Sequence, residues 1–466
     1  MRKYILFRFA AIPLMLLTLQ SCFVAKKYTR PEVVNSTYFR TDSLEQDSTT
    51  LADVSWRTLF TDPELVSYIE KGLEQNIDIR VALQQINIAR AYYLQGKAGY
   101  LPSLSAAGRV NYQELAGNSQ FGSFFNGSIT QYEIPVSLSW EADIWGKIRS
   151  NKRAFEATYL QSVAAHQAVK TELIANIASL YFQLLAFDEQ SRITQQTIQT
   201  RESSLETTKA LKEAGTVSEV AVKQTEAQLY NARALLVDIK RNIKLLENTF
   251  SILLGDEPHG IERSRLDEQQ VTHELNVGFP LQLLRNRPDV IAAEYNLVNA
   301  FELTNVAKSN FYPSLTLSAT GGLQSLELDK LFNVNSLFAT VIGGITQPIY
   351  NGRRIRTQYE VSLSQKEQAY LRFRQSILNA SREVSDALYS FEASRERIQL
   401  KSQEFAAYDT ATAYSEQLLN SGLANYLEVL TARQNALNSQ LDLINARYNR
   451  LSSVIDLYRA LGGGWR

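Results

Sequence analysis

The chain repeats itself at long range, and this limits the available folds more than any local motif does. Tyr100-Leu101-Pro102-Ser103-Leu104 returns as Phe311-Tyr312-Pro313-Ser314-Leu315, an offset of 211 residues, and Asn76-Ile77-Asp78-Ile79 faces Arg287-Pro288-Asp289-Val290 at the same offset. Further along, Ala214-Gly215 matches Ser421-Gly422 and Leu253-Leu254-Gly255 matches Ala460-Leu461-Gly462, both at an offset of 207. Trp145-Gly146-Lys147-Ile148-Arg149 is echoed around Asn351-Gly352-Arg353. Stacked solenoid repeats run roughly 20–50 residues, so this period describes two copies of one domain-sized design.

Proline placement gives the element lengths. A helix-interior proline costs about 3 kcal/mol or more, yet no proline occurs between Pro135 and Pro258 and none follows Pro348. Near the middle of each stretch one glycine, Gly215 or Gly422, punctuates a helical pattern, which predicts two long helical hairpins. The returning arms carry heptads: Leu229, Ala232, Leu236, Ile239, Ile243, Leu246, Phe250 and Leu253 in the first copy. In the second they are Leu427, Leu430, Gln434, Leu437, Leu441, Ile444, Tyr448, Leu451, Ile455 and Tyr458, with Gln434 the one polar member. A period of 3.5 calls for a left-handed coiled-coil neighbour.

Ahead of each hairpin the period falls to two. Ser314, Thr316, Ser318 and Thr320 alternate with Leu315, Leu317 and Ala319, and Tyr132, Ile134, Val136, Leu138 and Trp140 alternate with polar neighbours. Such strands suit a half-buried soluble sheet or a membrane hairpin with apolar residues facing lipid. Four strands cannot close a membrane barrel, and open edges are not tolerated in lipid. In the membrane reading, three copies supply twelve strands. Tyr100, Tyr112, Trp140, Trp145, Phe311, Tyr312 and Tyr350 then serve as interfacial belts, or as core aromatics at the strand-to-helix junctions.

Arg2, Lys3 and Arg8 precede an apolar run from Ala10 to Leu19, too short to span a bilayer and of the length of a signal-peptide core. It ends in Leu19-Gln20-Ser21-Cys22, which resembles a bacterial lipobox and makes Cys22 the expected lipid attachment site. An ordinary secretory signal with a chance cysteine is the alternative. Cys22 is the only cysteine, which excludes internal disulfides and cysteine-built zinc sites, and His166, His259 and His273 have no metal-ligand spacing. Lys+Arg and Asp+Glu balance at 48 each, giving no global case for nucleic acid. No phosphate-binding glycine loop and no nucleophile–base motif appears, so no catalytic residue, metal or cofactor is assigned.

The run 278–294, GFPLQLLRNRPDVIAAE, together with Pro102-Ser103-Leu104, Asp143-Ile144-Trp145-Gly146-Lys147, Glu213-Ala214-Gly215 and Gly422-Leu423-Ala424-Asn425-Tyr426-Leu427-Glu428, resembles the TolC-like outer-membrane factor family, in particular its lipoprotein branch of the NodT/OprM type. The resemblance implies a mainly α protein with a membrane β-barrel, duplicated internally into two β-hairpins and two long coiled-coil hairpins. Its trimer forms a twelve-stranded barrel in the bacterial outer membrane and an α-helical periplasmic tunnel. The expected layout is a signal peptide over 1–21, a lipidated extended tether over 22–60, a first repeat over 61–258 and a linker or equatorial segment over 259–279. The second repeat covers 280–466. Strands fall near 101–113 and 130–143, then 313–323 and 337–348; hairpins fall near 147–254 with its tip at 215–218, and 353–461 with its tip at 422–425.

By the same resemblance the chain is the exit duct of a tripartite efflux pump, working with a periplasmic adaptor and an inner-membrane RND-type transporter. Export of a secreted protein with an ABC-type partner is the alternative within that class, and a non-conducting envelope coiled-coil lipoprotein the alternative outside it. The resemblance places adaptor contacts at Gly215, Thr216, Val217, Ser218, Gly422, Leu423, Ala424 and Asn425. It places the periplasmic gate at Leu419, Leu423, Leu427, Glu428 and Thr431. Ala221 and Ala424 stand where relatives carry charged residues, which favours a hydrophobic lock over salt bridges. Glu428 also fits a capping box with Asn425.

Overall fold

The computed structural model describes residues 25–31, 54–119, 123, 127–269 and 286–465. The signal segment, Cys22 and positions 278–285 of the signature run lie outside the described residues. The chain divides into two compact units. One comprises Met1–Pro31, Asn87–Gln161 and Ala293–Phe373, and the other Glu32–Ile86, Ser162–Ala292 and Arg374–Arg466.

The first unit holds the sheet: β1 (Ser103–Ala106), β2 (Arg109–Glu114), β3 (Ser128–Ala142), β4 (Ser314–Ser325) and β5 (Leu337–Thr346). The single strand expected near 101–113 is two, because the ladder lapses at Ala107 and Gly108; both pieces pair with β3 in one continuous register, Ser103 opposite Ser139 and Arg109 opposite Glu133. All pairings are antiparallel, and the order runs from β1 and β2 through β3 and β4 to β5. The register sorts the faces. Leu104–Leu138–Ala319–Val341 and Trp140–Leu317 share one face, and Ser105–Ser137–Thr320–Thr340 share the other. Because side chains alternate along a strand, one surface is apolar across all the strands, with Glu114, Ser128, Thr130 and Ser325 as its polar members at one end. Trp145 does not project from it: its indole donates to the Pro313 carbonyl at 2.6 Å and its ring lies 5.0 Å from that of Tyr312.

Residues 25–31 belong to this unit and are held against α6 (Pro288–Ser309). The Asn305 amide bonds the Lys26 backbone in both directions, and Arg30 pairs with Glu294 at 3.2 Å. Four residues after β3, helix α4 (Lys147–Glu213) begins. Its exposed amides are met by Asp143, whose carboxylate accepts from the Ile148 and Arg149 N–H groups at 2.8 and 3.0 Å. Asp143→Ala is expected to lower stability by about 1–2 kcal/mol, with Asp143→Asn recovering part of it; a thermal melt followed by helical circular dichroism checks this, and equal melts for all three proteins would refute it.

The second unit has the hydrophobic core. α1 (Trp56–Leu59) and α2 (Pro63–Gln75) precede α3 (Ile77–Ala98), and α2 starts where its sequence dictates, with Asp62 accepting from the Glu64 and Leu65 amides and Pro63 at the first position. Here the tether reading of 22–60 needs correction. Residues 25–31 already bond α6, Trp56 is 2% exposed, and the Tyr458 hydroxyl donates to the Val54 carbonyl, so 25–31 and 54–60 are both part of the body. The described part of the 259–279 linker also packs inward: Ile261 and Leu266 are buried, and Arg263 bonds Asp188 and Glu247.

From α4 the chain turns into α5 (Glu219–Leu254), and α7 (Arg354–Asn420) turns likewise into α8 (Tyr426–Ala460). On α5 the buried positions Val222, Thr225, Leu229, Ala232, Ile239, Ile243 and Phe250 follow the heptad. Leu430, Leu437, Ile444, Leu451, Ile455 and Tyr458 do so on α8, whereas Leu427 is exposed. α3, α4, α6 and α7 each contribute residues to both units.

The duplication persists in atomic detail. α3 and α6 differ by the 211-residue offset at both ends, and α4 and α7 by 207. The Asn76 amide donates to the Leu253 carbonyl, and in the second copy Arg287 donates to Ala460, a different side chain doing the same bridging. Gly255 and Gly462 lie so near the carbonyls of Gln75 and Asn286 that a Cβ would stand 2.7 and 2.8 Å from them. The apparent match of Gly146 with Gly352 is one residue out: by helix register Gly146 (φ 77°) corresponds to Arg353 (φ 69°), the one non-glycine left-handed residue among those described. Among the described residues no helix is long and apolar enough to cross a membrane.

Candidate functional site at the paired helical turns

Both hairpin turns close in the same way. Gly215 adopts φ 75°, its N–H donates to the Lys212 carbonyl at 2.9 Å, and the Thr216 N–H reaches Leu211 at 2.9 Å. Gly422 adopts φ 71°, its N–H donates to Leu419 at 3.0 Å, and the Leu423 N–H reaches Leu418 at 2.9 Å. This six-to-one, five-to-two pairing satisfies the last carbonyls of the outgoing helix and needs a left-handed residue that glycine adopts without a Cβ clash.

The returning helices start differently. Asn425 caps α8: its Oδ1 accepts from the Glu428 N–H at 3.1 Å, and its amide donates to the Glu428 carboxylate at 3.3 Å. Ser218 stands at the matching position of α5, but its side chain makes no cap bond. There the Thr216 hydroxyl donates to the Leu211 carbonyl at 2.7 Å, and Lys212 pairs with Glu219 across the turn. The lysine bond holds the Glu219 carboxyl below its ordinary pKa.

Between the two turns lies a groove of about 1010 Å³, lined by Ser203, Ser204, Thr207, Thr208, Leu211, Thr216 and Val217 from one hairpin and by Glu416, Leu419, Gly422, Ala424, Tyr426, Val429 and Arg433 from the other. Polar bonds cross it. Arg201 donates to the Gln434 amide oxygen at 2.9 Å and to the Gln228 carbonyl, Arg433 donates to the Ser204 hydroxyl and pairs with Glu416 at 2.8 Å, and Thr225 Oγ1 lies 3.1 Å from the Tyr426 hydroxyl. Arg201 is 4% exposed and, among the described residues, no carboxylate lies within ion-pair distance of it. Burial, then the charge of Arg433, pushes its pKa down.

The structure therefore gathers Val217, Thr216, Leu419, Gly422 and Ala424 around one groove, while Leu423 at 77% and Leu427 at 55% exposure point away from their own chain. Glu428 is exposed and serves as a cap, and the Thr431 hydroxyl is spent on the Leu427 carbonyl at 2.9 Å. The Arg201–Gln434 and Arg433–Ser204 bonds were not legible in the sequence. Only Gln434, polar in an apolar stripe, hinted that something crosses there. Among the described residues no set of His, Cys, Asp and Glu is arranged to hold a metal.

Known proteins share this plan. The solvent efflux pump outer membrane protein SrpC of Pseudomonas putida is 28% identical over 98% of this chain and 99% of its own. The cation efflux system protein CusC of Escherichia coli is 27% identical over 97% of each. The solved open state of the Neisseria gonorrhoeae MtrE outer membrane channel has a TM-score of 0.85 at 25% identity, over 96% of this chain and 99% of that one. The profile of the outer membrane efflux protein family matches residues 68–256 and 280–463 separately, one match for each copy of the duplication and together most of the molecule, and the chain belongs to that family.

Proposed function

We propose that three copies of this chain form an outer-membrane channel that serves as the exit duct of a tripartite efflux pump. The observation that carries this is the sheet: mainly apolar on one face, mainly polar on the other, and ending in two edges with no further strand, β1 with β2 on one side and β5 on the other. Unpaired backbone at a sheet edge is intolerable in lipid. Closing four strand positions per chain into a twelve-stranded ring places the apolar face against lipid and the serine and threonine face against a water-filled lumen. Lipidation at Cys22 anchors the start of the chain to the periplasmic leaflet.

The coiled-coil arms continue the lumen into the periplasm, with the turns at 215–218 and 422–425 meeting the adaptor, which links the duct to an RND-type transporter. Energy comes from that transporter. SrpC is named for solvents and CusC for cations, so one scaffold serves unlike cargo; selection belongs to the transporter. Leu423 and Leu427, unpartnered in their own chain, pack against their copies near the three-fold axis, with Leu419 behind them. Three Glu428 carboxylates then ring the entrance and attract cations, while Thr431 adds no charge.

Planar-bilayer recording of the purified protein tests this. Voltage-stable steps are expected, with cation preference reduced in Glu428→Ala. Removing a buried leucine contact costs about 2 kcal/mol, so Leu423→Ser is expected to shift the gate about thirtyfold toward the open state. A folded trimer that conducts in no variant would overturn the proposal.

A further inference from the structure

The strand ladder sorts the polar face of the sheet into rows, and the rows change character along the strands. In the middle stand hydroxyls: Ser103 and Ser105 on β1 face Ser139 and Ser137 on β3, and these face Ser318 and Thr320 on β4. Farther along, Arg109 on β2 faces Glu133 on β3, which faces Gln324 on β4. Among the paired residues of this face the charged ones are Arg109, Glu133 and Glu141. Glu141 is already neutralised, since both its oxygens accept from Lys147 at 3.0 Å. Glu133 is not: its carboxylate accepts from the Gln131 amide on its own strand. Arg109, directly opposite, is exposed and among the described residues has no ion-pair partner.

The level of this row matters. β3 runs toward α4, so Arg109 and Glu133 lie toward the end of the sheet away from that helix. On the opposite face the apolar side chains give way there to Ser325, Thr130, Ser128 and Glu114, which marks the outer boundary of the hydrocarbon. Charged residues of the polar face at that level stand in the mouth of the pore. We infer that Arg109 and Glu133 set the ion preference of the outer mouth, as a ring of three guanidiniums and three carboxylates whose charges offset one another. The inference rests on the trimeric channel proposed above. A ring of one sign would concentrate counter-ions and repel ions of its own sign. Directly opposed residues have Cβ atoms about 4.5–5.5 Å apart, well inside the Debye length of about 10 Å at 0.1 M salt. A passing ion therefore meets the sum of the two charges, which is zero. Because Glu133 is engaged by Gln131, the pair is not spent on holding β2 to β3, and its removal is read in permeation rather than in folding. Cation preference is left to Glu428 at the other end.

Reversal potentials of the full-length purified protein in planar bilayers, under a potassium chloride gradient near 0.1 M, read the ring. Arg109→Gln leaves three carboxylates and is expected to raise the cation-over-anion permeability ratio about threefold. Glu133→Gln leaves three guanidiniums and is expected to lower the ratio by about the same factor. The double variant and Arg109→Lys, which both keep the balance, are expected to match the unmodified protein. All shifts should fade near 1 M salt, where the Debye length is about 3 Å. Shifts of one sign in both single variants, no shift in either, or a double variant displaced as far as a single one overturns the balanced ring and leaves the duct standing. Loss of the trimer in either single variant would make the pair a clip of the sheet and overturn it as well. An unmodified protein that sizes as a trimer and does not conduct overturns the duct and the ring together.

Discussion

Asp62→Ala is expected to lower the stability of the helical core by about 3 kcal/mol, the largest of the stability effects foreseen for this chain. The side chain is 7% exposed and has four tasks. Oδ1 accepts from the Glu64 and Leu65 amides and so begins α2. Oδ2 accepts from the Tyr181 hydroxyl at 2.9 Å, from the Gln269 amide at 2.8 Å and from the Ser264 hydroxyl. The cap alone is worth about 1 kcal/mol. Alanine also takes the carboxylate acceptor from Tyr181, Gln269 and Ser264, leaving the fully buried Tyr181 hydroxyl only its 3.2 Å contacts with Ser264, and losing hydrogen bonds to a charged group costs about 1.5–3 kcal/mol. Chemical denaturation monitored by tyrosine and tryptophan fluorescence measures the loss, and a change under 1 kcal/mol would mean that water replaces the carboxylate.

The same residue gives the stability a pH dependence. Burial alone would raise the Asp62 pKa, but the bonds from Ser264, Gln269, Tyr181 and the Leu65 amide outweigh it, and the pKa lies below the ordinary carboxyl value. A depressed carboxyl contributes its full share above the unfolded-state pKa of about 3.9 and loses it as pH falls through the lower folded value. Wild-type stability should therefore decline below about pH 4, and Asp62→Asn, which cannot titrate, should decline less. Parallel curves would assign the acid sensitivity to other carboxylates.

What the sequence disclosed and what it hid divide along a physical line. The proline-free stretches, the heptads and the glycines at 215 and 422 record constraints that act on neighbours within a turn or two, and a chain cannot hide those. Strand periodicity likewise marks the two faces of the sheet. Hidden were contacts made by residues hundreds of positions apart. Trp56 sits in a stretch that looks like tether, yet it is buried in the same core cluster as Tyr458, whose hydroxyl donates to the nearby Val54 carbonyl. Asp143 is the local exception: its cap bonds span only five and six residues, yet they depend on the left-handed Gly146 folding Ile148 and Arg149 back onto it. The Gly146–Gly352 match misled because the second copy places Arg353, not glycine, in the equivalent left-handed position. At the turns, the glycines were legible; the groove between them required knowing that Arg201 lies against Gln434.

That arginine carries the second large effect. Arg201 joins three helices: it extends from α4, donates to the Gln228 carbonyl on α5, and donates to Gln434 on α8. Its neighbour Arg433 crosses the same groove in the opposite direction, from α8 to Ser204, and is neutralised by Glu416. Arg201 has only neutral acceptors, so its burial costs desolvation that no opposite charge offsets, and the repulsion from Arg433 adds to that cost. Removing it therefore loses two charge-assisted bonds and relieves one repulsion, a net of about 2 kcal/mol per chain. If the hairpins must part for the entrance to widen, Arg201→Ala shifts that equilibrium roughly thirtyfold toward opening, and Gln434→Ala shifts it less, because Gln228 still holds the guanidinium. The double variant should equal Arg201→Ala, since Arg201→Ala already breaks the bond that Gln434→Ala removes. Open fractions in planar bilayers measure all three. A lowered melting temperature with unchanged conductance would make Arg201 a clip of the fold alone, and additive effects would show that Gln434 acts through a different partner.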